Sequence, residues 1–138
     1  MNPRDWKITE DEYMGSNPYP SDTHIDNALD LLARVNRIRV WYNSPLIVSS
    51  GYRTPMHNAE IGGAKSSLHC QCRAIDIRDR NGEFCNWCLN NLQYIAETGL
   101  WMENPMYTPG WVHLDTRCRR TLVFIPDNRT FPAVSKAD

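Results

Sequence analysis

At 138 residues the chain is sized for one domain, long enough to bury about 68% of its unfolded surface in a single core without disulfide or metal staples. Its 15 basic and 16 acidic residues give a net charge of -1 and are interspersed along the sequence, which excludes a phosphate-binding surface or an acidic tail as the main feature, so no nucleic-acid partner is expected. Nowhere do about 18 apolar residues run together, and Met1 to Lys7 lacks the apolar stretch of a signal peptide, so no membrane partner is expected and the chain reads as cytoplasmic when synthesised.

In chain order, Thr9 followed by Glu10, Asp11 and Glu12 predicts a capped helical turn within Trp6 to Met14, with acids at its positive end. Ser16 to Ser21 is a loop. Asp22 and Thr23 are candidate caps for the longest helix, ending near Asn43. Its apolar stripes are Ile25, Leu29 and Leu32 and, one strip over, Ala28, Leu31, Val35, Ile38 and Tyr42. Arg34, Arg37 and Arg39 lie mostly off those stripes, as a solvated basic face. Pro45 to Ser49 is apolar and β-branched and reads as a buried strand whose end delivers Arg53.

Ser49 to Ile77 is dense in polar groups and punctuated by glycine and proline, which predicts a folded loop system and not a helix. Within it, Gly62-Gly63 lets the backbone pass close to another group, and Ala74 to Ile77 forms a strand. Asp79, Asn81 and Gly82 make a turn. A second helix is expected over Glu83 to Glu97, with Phe84, Trp87, Cys88, Leu92, Ile95 and Ala96 inward and Gly99 as its stop. Leu100 to Met102 can form a strand edge. Trp111 to Asp115 and Thr121 to Ile125 read as antiparallel strands joined by the basic turn Arg117 to Arg120. The expected core spans about 8–125, with a polar tail over 126–138; the sequence carries no signal for oligomeric state.

Strand alternation puts Trp111, His113 and Asp115 on one face and Val112 and Leu114 on the core face. His69 and Asp76 have an odd separation, so a turn around Gln71 to Arg73 must bring them to one side. Two imidazoles and a carboxylate suit zinc and leave a fourth tetrahedral position for water, lowering its pKa to about 7. An arginine at the mouth of such a site would steady an oxyanion, and Arg53 is placed to do so. A His and an Asp at this spacing are also commonplace, so ordinary structural positions remain the competing reading.

Ser50-Gly51-Tyr52-Arg53, Ser67-Leu68-His69, Ala74-Ile75-Asp76 and Trp111-Val112-His113 together resemble the signature of the zinc D-alanyl-D-alanine carboxypeptidases and their relatives. These include phage L-alanyl-D-glutamate endopeptidases, murein endopeptidases, vancomycin-resistance dipeptidases and the hedgehog signalling domain. The resemblance covers roughly Ile8 to Arg120. It implies an α+β fold, a small antiparallel sheet with helices packed on one side. It implies Zn2+ held by His69, Asp76 and His113, with Arg53 contacting the substrate carbonyl or carboxylate and Ser67 lining the substrate pocket. The implied activity is hydrolysis of an amide in a peptidoglycan stem peptide or cross-link, as a D,D-carboxypeptidase or endopeptidase. Small size without a signal resembles phage endolysins, which wait in the host cytoplasm and reach the wall through a holin.

The chain departs from that pattern in two places. Many relatives carry an acid three residues before the second His, as general base, where this chain has Gly110. It resembles most a branch ending in Trp/Phe-Val-His-X-Asp, which lacks that acid, and Asp115 is then the candidate base or the group orienting a ligand imidazole, with Glu103 the weaker candidate. Cys72 stands where relatives usually have glycine. The Gly110 departure also keeps open an inactive, metal-containing binding module.

Cys70, Cys72, Cys85, Cys88 and Cys118 are an odd set that fits a reducing compartment; buried thiols are the main reading, with a second metal site or a disulfide as alternatives. His57 is read as structural or exposed, with substrate contact the alternative, and His24 as solvated. Trp101, Tyr107 and Trp111 are core residues or the lining of a substrate groove.

Overall fold

The computed structural model describes residues 6–126; the tail expected at 126–138 lies, from residue 127 on, outside the described residues. Helix α1 (Glu10–Met14) starts in a capping box. Thr9 Oγ1 accepts the Glu12 N–H at 3.2 Å, and a Glu12 carboxylate oxygen accepts the Thr9 N–H at 3.1 Å. Helix α2 (Asp22–Tyr42) is capped by Ser21, whose hydroxyl accepts the His24 N–H, and not by Asp22 or Thr23, which already have helical backbone. It ends at Asn43 in the left-handed conformation. Ala28, Leu31, Leu32, Val35 and Ile38 are buried as the stripe requires, but Leu29 is half exposed and Arg39 is buried. The buried stripe is narrower than expected, and it takes in the aliphatic stem of an arginine.

The stretch expected to be only loop contains a helix, α3 (Pro55–Glu60). Thr54 caps it by accepting the His57 N–H at 3.1 Å, and Pro55 occupies its first turn. This is the start where proline costs nothing, because the missing N–H would be unpaired anyway. The second expected helix is two, α4 (Glu83–Asn90) and α5 (Leu92–Thr98). The break falls at Asn91, whose side chain donates to the Trp87 carbonyl at 2.8 Å and so competes with the helical ladder. Asp79 begins α4 by accepting the N–H groups of Phe84 and Cys85. Gly99 closes α5 at φ 75.

Strands β1 (Val48–Ser50), β2 (Ala74–Arg78), β3 (Trp101–Glu103), β4 (Trp111–Asp115) and β5 (Val123–Phe124) form one sheet in the order β1-β2-β4-β3-β5. All pairs are antiparallel except β3 with β5, which is parallel. The α+β class holds, but the sheet is mixed. β5 does not return beside β4, because Thr116 to Leu122 offers no glycine or asparagine for a tight hairpin. The chain instead crosses to the far edge, where Met102 and Asn104 donate to Leu122 and Phe124 carbonyls.

Ile75, Ile77, Met102, Val112 and Leu114 are fully buried on one face of the sheet, in a core shared with α2, Phe84, Cys88 and Ile95. Each contributes about 2 kcal/mol by burial. A one-residue slip of β2 against β4 would put polar side chains into that core, so the apolar pattern fixes the register and with it the opposite, polar face. Tyr13 ties α1 to this frame: its hydroxyl donates to the Ala74 carbonyl at 2.7 Å, and its carbonyl accepts the Tyr52 N–H at 2.9 Å. A Cβ on Gly51 would lie 2.1 Å from the Tyr13 carbonyl oxygen. Gly51→Ala is therefore expected to cost about 2–3 kcal/mol of stability, read as a lower denaturant midpoint at unchanged m value.

Candidate metal centre

In the β2–β4 ladder Asp76 lies directly opposite His113. Their neighbours Ile75, Ile77, Val112 and Leu114 fill the core face, so the carboxylate and the imidazole share the other face. His69 arrives from the 3-10 turn Leu68–Gln71. Cys72 then takes left-handed backbone, φ 59, and reverses the chain into β2. That is the conformation glycine adopts most readily, which accounts for glycine at this place in the resembling sequences. The turn is pinned on both sides: Arg73 N–H donates to the Leu68 carbonyl at 2.9 Å, and the Arg73 guanidinium reaches Thr116. Ser67, expected to line the substrate pocket, is buried and caps this turn, its hydroxyl accepting the His69 N–H at 3.2 Å.

The three side chains converge. Asp76 Oδ2 is 3.3 Å from His69 Nε2, and Asp76 Oδ1 is 2.8 Å from His113 Nδ1. One donor atom from each lies within 4.8 Å of the others. Zinc bonds of about 2.0–2.2 Å set donor separations near 3.4 Å in a tetrahedron, so small side-chain adjustments close this set around an ion. The outer nitrogens are already committed. His69 Nδ1 lies 2.8 Å from the Gly51 carbonyl, which can only accept, so Nε2 is left to face the centre. His113 Nε2 lies 2.7 Å from Asp115 Oδ2 and donates to it, leaving Nδ1 as the donor atom.

Asp115 is 0% exposed and both its oxygens are engaged. Oδ2 takes His113, while Oδ1 accepts the Arg117 N–H and pairs with the Arg119 guanidinium. It sits beyond the His113 ring, away from the cluster. Arg53 stands at the margin: Nη2 is 3.4 Å from Asp76 Oδ2, Nε donates to Ser50 Oγ at 3.1 Å, and Nη1 donates to Asn58 Oδ1 at 3.3 Å. Asn58 also donates to the Ala64 carbonyl, and a Cβ on Gly63 would lie 2.0 Å from Asn58 Oδ1. Gly63 therefore leaves room for the side chain that aims Arg53. Asn58 and Arg119 were not singled out from sequence; Asn58 was signalled only by the glycine pair after it, and Arg119 by nothing beyond its charge.

His24, expected to be solvated, bridges Ser21 Oγ at 2.7 Å and the Cys70 carbonyl at 3.1 Å, tying the start of α2 to the His69 turn. His57 is exposed and lies 3.8 Å from Glu60. All five cysteines are free thiols, Cys72 and Cys88 buried and Cys118 exposed, and among the described residues none joins the metal-ligand group. Tyr107 is buried, while Trp101 and Trp111 are half-buried on the polar face.

The Peptidase M15 family profile matches residues 8–115, well over half the chain. The chain belongs to the peptidase M15 family. No curated protein sequence matches it. M15 peptidases are generally zinc dependent, and the His69, Asp76 and His113 donors fit such an ion in number, chemistry and spacing.

Burial by itself would lower the His113 pKa and raise that of Asp76. Hydrogen bonds that His113 donates to Asp115 and Asp76 instead push it up to about 10, and those donated by His113 and His69 hold Asp76 well below the usual carboxylate range. Because the folded-state value of His113 is raised, its contribution to the stability of the metal-free fold is complete below about 6.5 and is lost as pH rises through about 10. A metal taking Nδ1 must displace that proton. Zinc affinity is therefore expected to rise between pH 6 and 9 with release of about one proton per ion, measured by calorimetry in buffers of different ionisation enthalpy; binding without proton release would contradict the assignment.

Proposed function

We propose that this M15 peptidase is a zinc enzyme that hydrolyses an amide bond in peptidoglycan stem peptides or cross-links. The observation that carries this reading is the convergence of His69 Nε2, an Asp76 oxygen and His113 Nδ1 on one face of the sheet. Zinc held there would supply Lewis acidity, acidifying water and polarising a carbonyl. Arg53, already fixed by Ser50 and Asn58, holds the substrate carbonyl or carboxylate and steadies the negative charge that develops on oxygen.

Proton transfer falls to Glu103. In β3, Trp101 pairs with Asp115 and Met102 with Leu114, and that register, continued one residue past the paired positions, would carry Glu103 toward His113. Met102 is on the buried face, which puts Glu103 on the polar one, with its Cβ about 5 Å from that of His113. Glu103 takes the proton from the attacking water and returns it to the leaving amine. Asp115, with both oxygens occupied behind the imidazole, is a positioning residue that keeps His113 Nδ1 aimed at the centre. An endolysin, made in the cytoplasm and acting at the wall, is the biological setting that the motif resemblance favours.

A binding module without turnover is the second reading, favoured by Gly110, which at φ +94 supplies no carboxylate where many relatives have one. The zinc-loaded chain should release peptide fragments from purified sacculi, detected by mass spectrometry, and His113→Ala should abolish both metal content and release. Glu103→Gln is expected to keep zinc and lower kcat by about 10²–10⁴-fold with a smaller change in KM. Stoichiometric zinc with no fragment from any muropeptide would favour the binder.

A further inference from the structure

Along β2 and β4 the row that holds Asp76 and His113 has a neighbouring row on each side, and the two differ. On one side Ala74 faces Asp115, both 0% exposed, so the polar face is roofed there. On the other side Arg78 faces Trp111, the first exposed and the second half-buried. A substrate chain crossing the metal centre is therefore admitted over the Arg78–Trp111 row, about 7 Å along the strands from the ligands.

The Asp79 N–H donates to the Gly110 carbonyl at 2.8 Å. By alternation Arg78 and Trp111 then form the closer kind of antiparallel pair, with Cα atoms about 4.5 Å apart and side chains next to one another. Among the described residues no ring stacks on Trp111 and no acid pairs with Arg78. Past this row Arg78 also lines a cavity of about 210 Å³, together with Tyr42, Asp79, Arg80, Asn81 and Glu83. Two arginines are matched there by two acids, so the space offers donors and acceptors without the one-sided charge that would select an ion. Arg80, Asn81 and Glu83 are exposed, while both Asp79 oxygens are held by the first turn of α4. An indole beside planar polar groups of both kinds suits a neutral, hydroxyl-rich ring. The C–H face of such a ring lies on the aromatic one, and its hydroxyl and amide groups reach guanidinium, carboxamide and carboxylate.

We propose that Trp111, Arg78 and the cavity beyond them form a saccharide subsite, which selects peptide still joined to its sugar over the same peptide without it. The inference rests on the peptidase reading and deepens its substrate class: a peptide whose neutral, N-acetylated sugar ring lies over the Arg78–Trp111 row while an amide lies at the metal centre.

Two substrates test it with the zinc-loaded chain: a disaccharide-peptide purified from sacculi, and the lactoyl-peptide left when the sugar is eliminated from that same muropeptide. The amides are identical in both. The sugar-bearing form is expected to be cleaved with at least about tenfold higher kcat/KM, mostly through KM. That ratio should hold as salt is raised, because no charge is being read. Trp111→Ala and Arg78→Ser should each shrink it toward unity with zinc content retained, and Trp111→Phe should keep part of it. Arg78 is exposed, so Arg78→Ser decides the matter if Trp111→Ala does not fold. Equal cleavage of the two substrates, a preference that collapses in salt, or one that Arg78→Ser leaves unmoved overturns the subsite and leaves the peptidase reading intact. If neither substrate is cleaved the peptidase reading fails, and calorimetric titration with the same two compounds decides the subsite. Tighter binding of the sugar-bearing compound that Arg78→Ser weakens upholds it; equal binding of both, or binding of neither, overturns it.

Discussion

The side chain of Asp76 is only 9% exposed, yet its two oxygens face His69, His113 and Arg53. A carboxylate taken that far from water is tolerable only if neighbouring groups replace its hydration, and an imidazole on either side with a guanidinium behind does so. The whole polar face is arranged around this need. The β2–β4 register sets Asp76 against His113, the Leu68–Gln71 turn swings His69 in, and Asn58 and Ser50 hold Arg53 close. His113, its pKa pushed up to about 10 by Asp115 and Asp76, adds a proton that balances the charge.

Each ligand is in turn held from behind. Gly51 fixes the tautomer of His69, and Asp115 fixes that of His113. Asp115 is itself anchored by Arg119, which rests on Phe124. Reading outward from the centre, the order is imidazole, carboxylate, guanidinium, aromatic ring, so one buried chain of contacts links the ligand to the loop beyond β4.

Much of this was legible in the sequence because it follows from short-range rules. Alternation in Trp111 to Asp115 put His113 and Asp115 on one face, and the core stripe of α2 followed helical spacing. The need for a turn between His69 and Asp76 followed from parity alone, and it is met at Cys72. What escaped was non-local or overridden by density of punctuation. Glycine and proline around Thr54-Pro55 hid α3, although a threonine cap before proline is itself a helix start. Asn91 broke a helix that apolar spacing had carried through. The crossing of β5 to β3 and the bridging role of His24 depend on partners distant in sequence, and no local pattern encodes them.

The donors come from a turn and two strands, with Asp76 and His113 separated by 37 positions. A disordered chain offers no chelating pair of them in close succession, so capture of an ion must follow assembly of the sheet. The apolar core lies on the opposite side of the sheet and includes none of these donors. An ion held by these donors would bind the folded chain and not the disordered one, and would add to its stability by mass action.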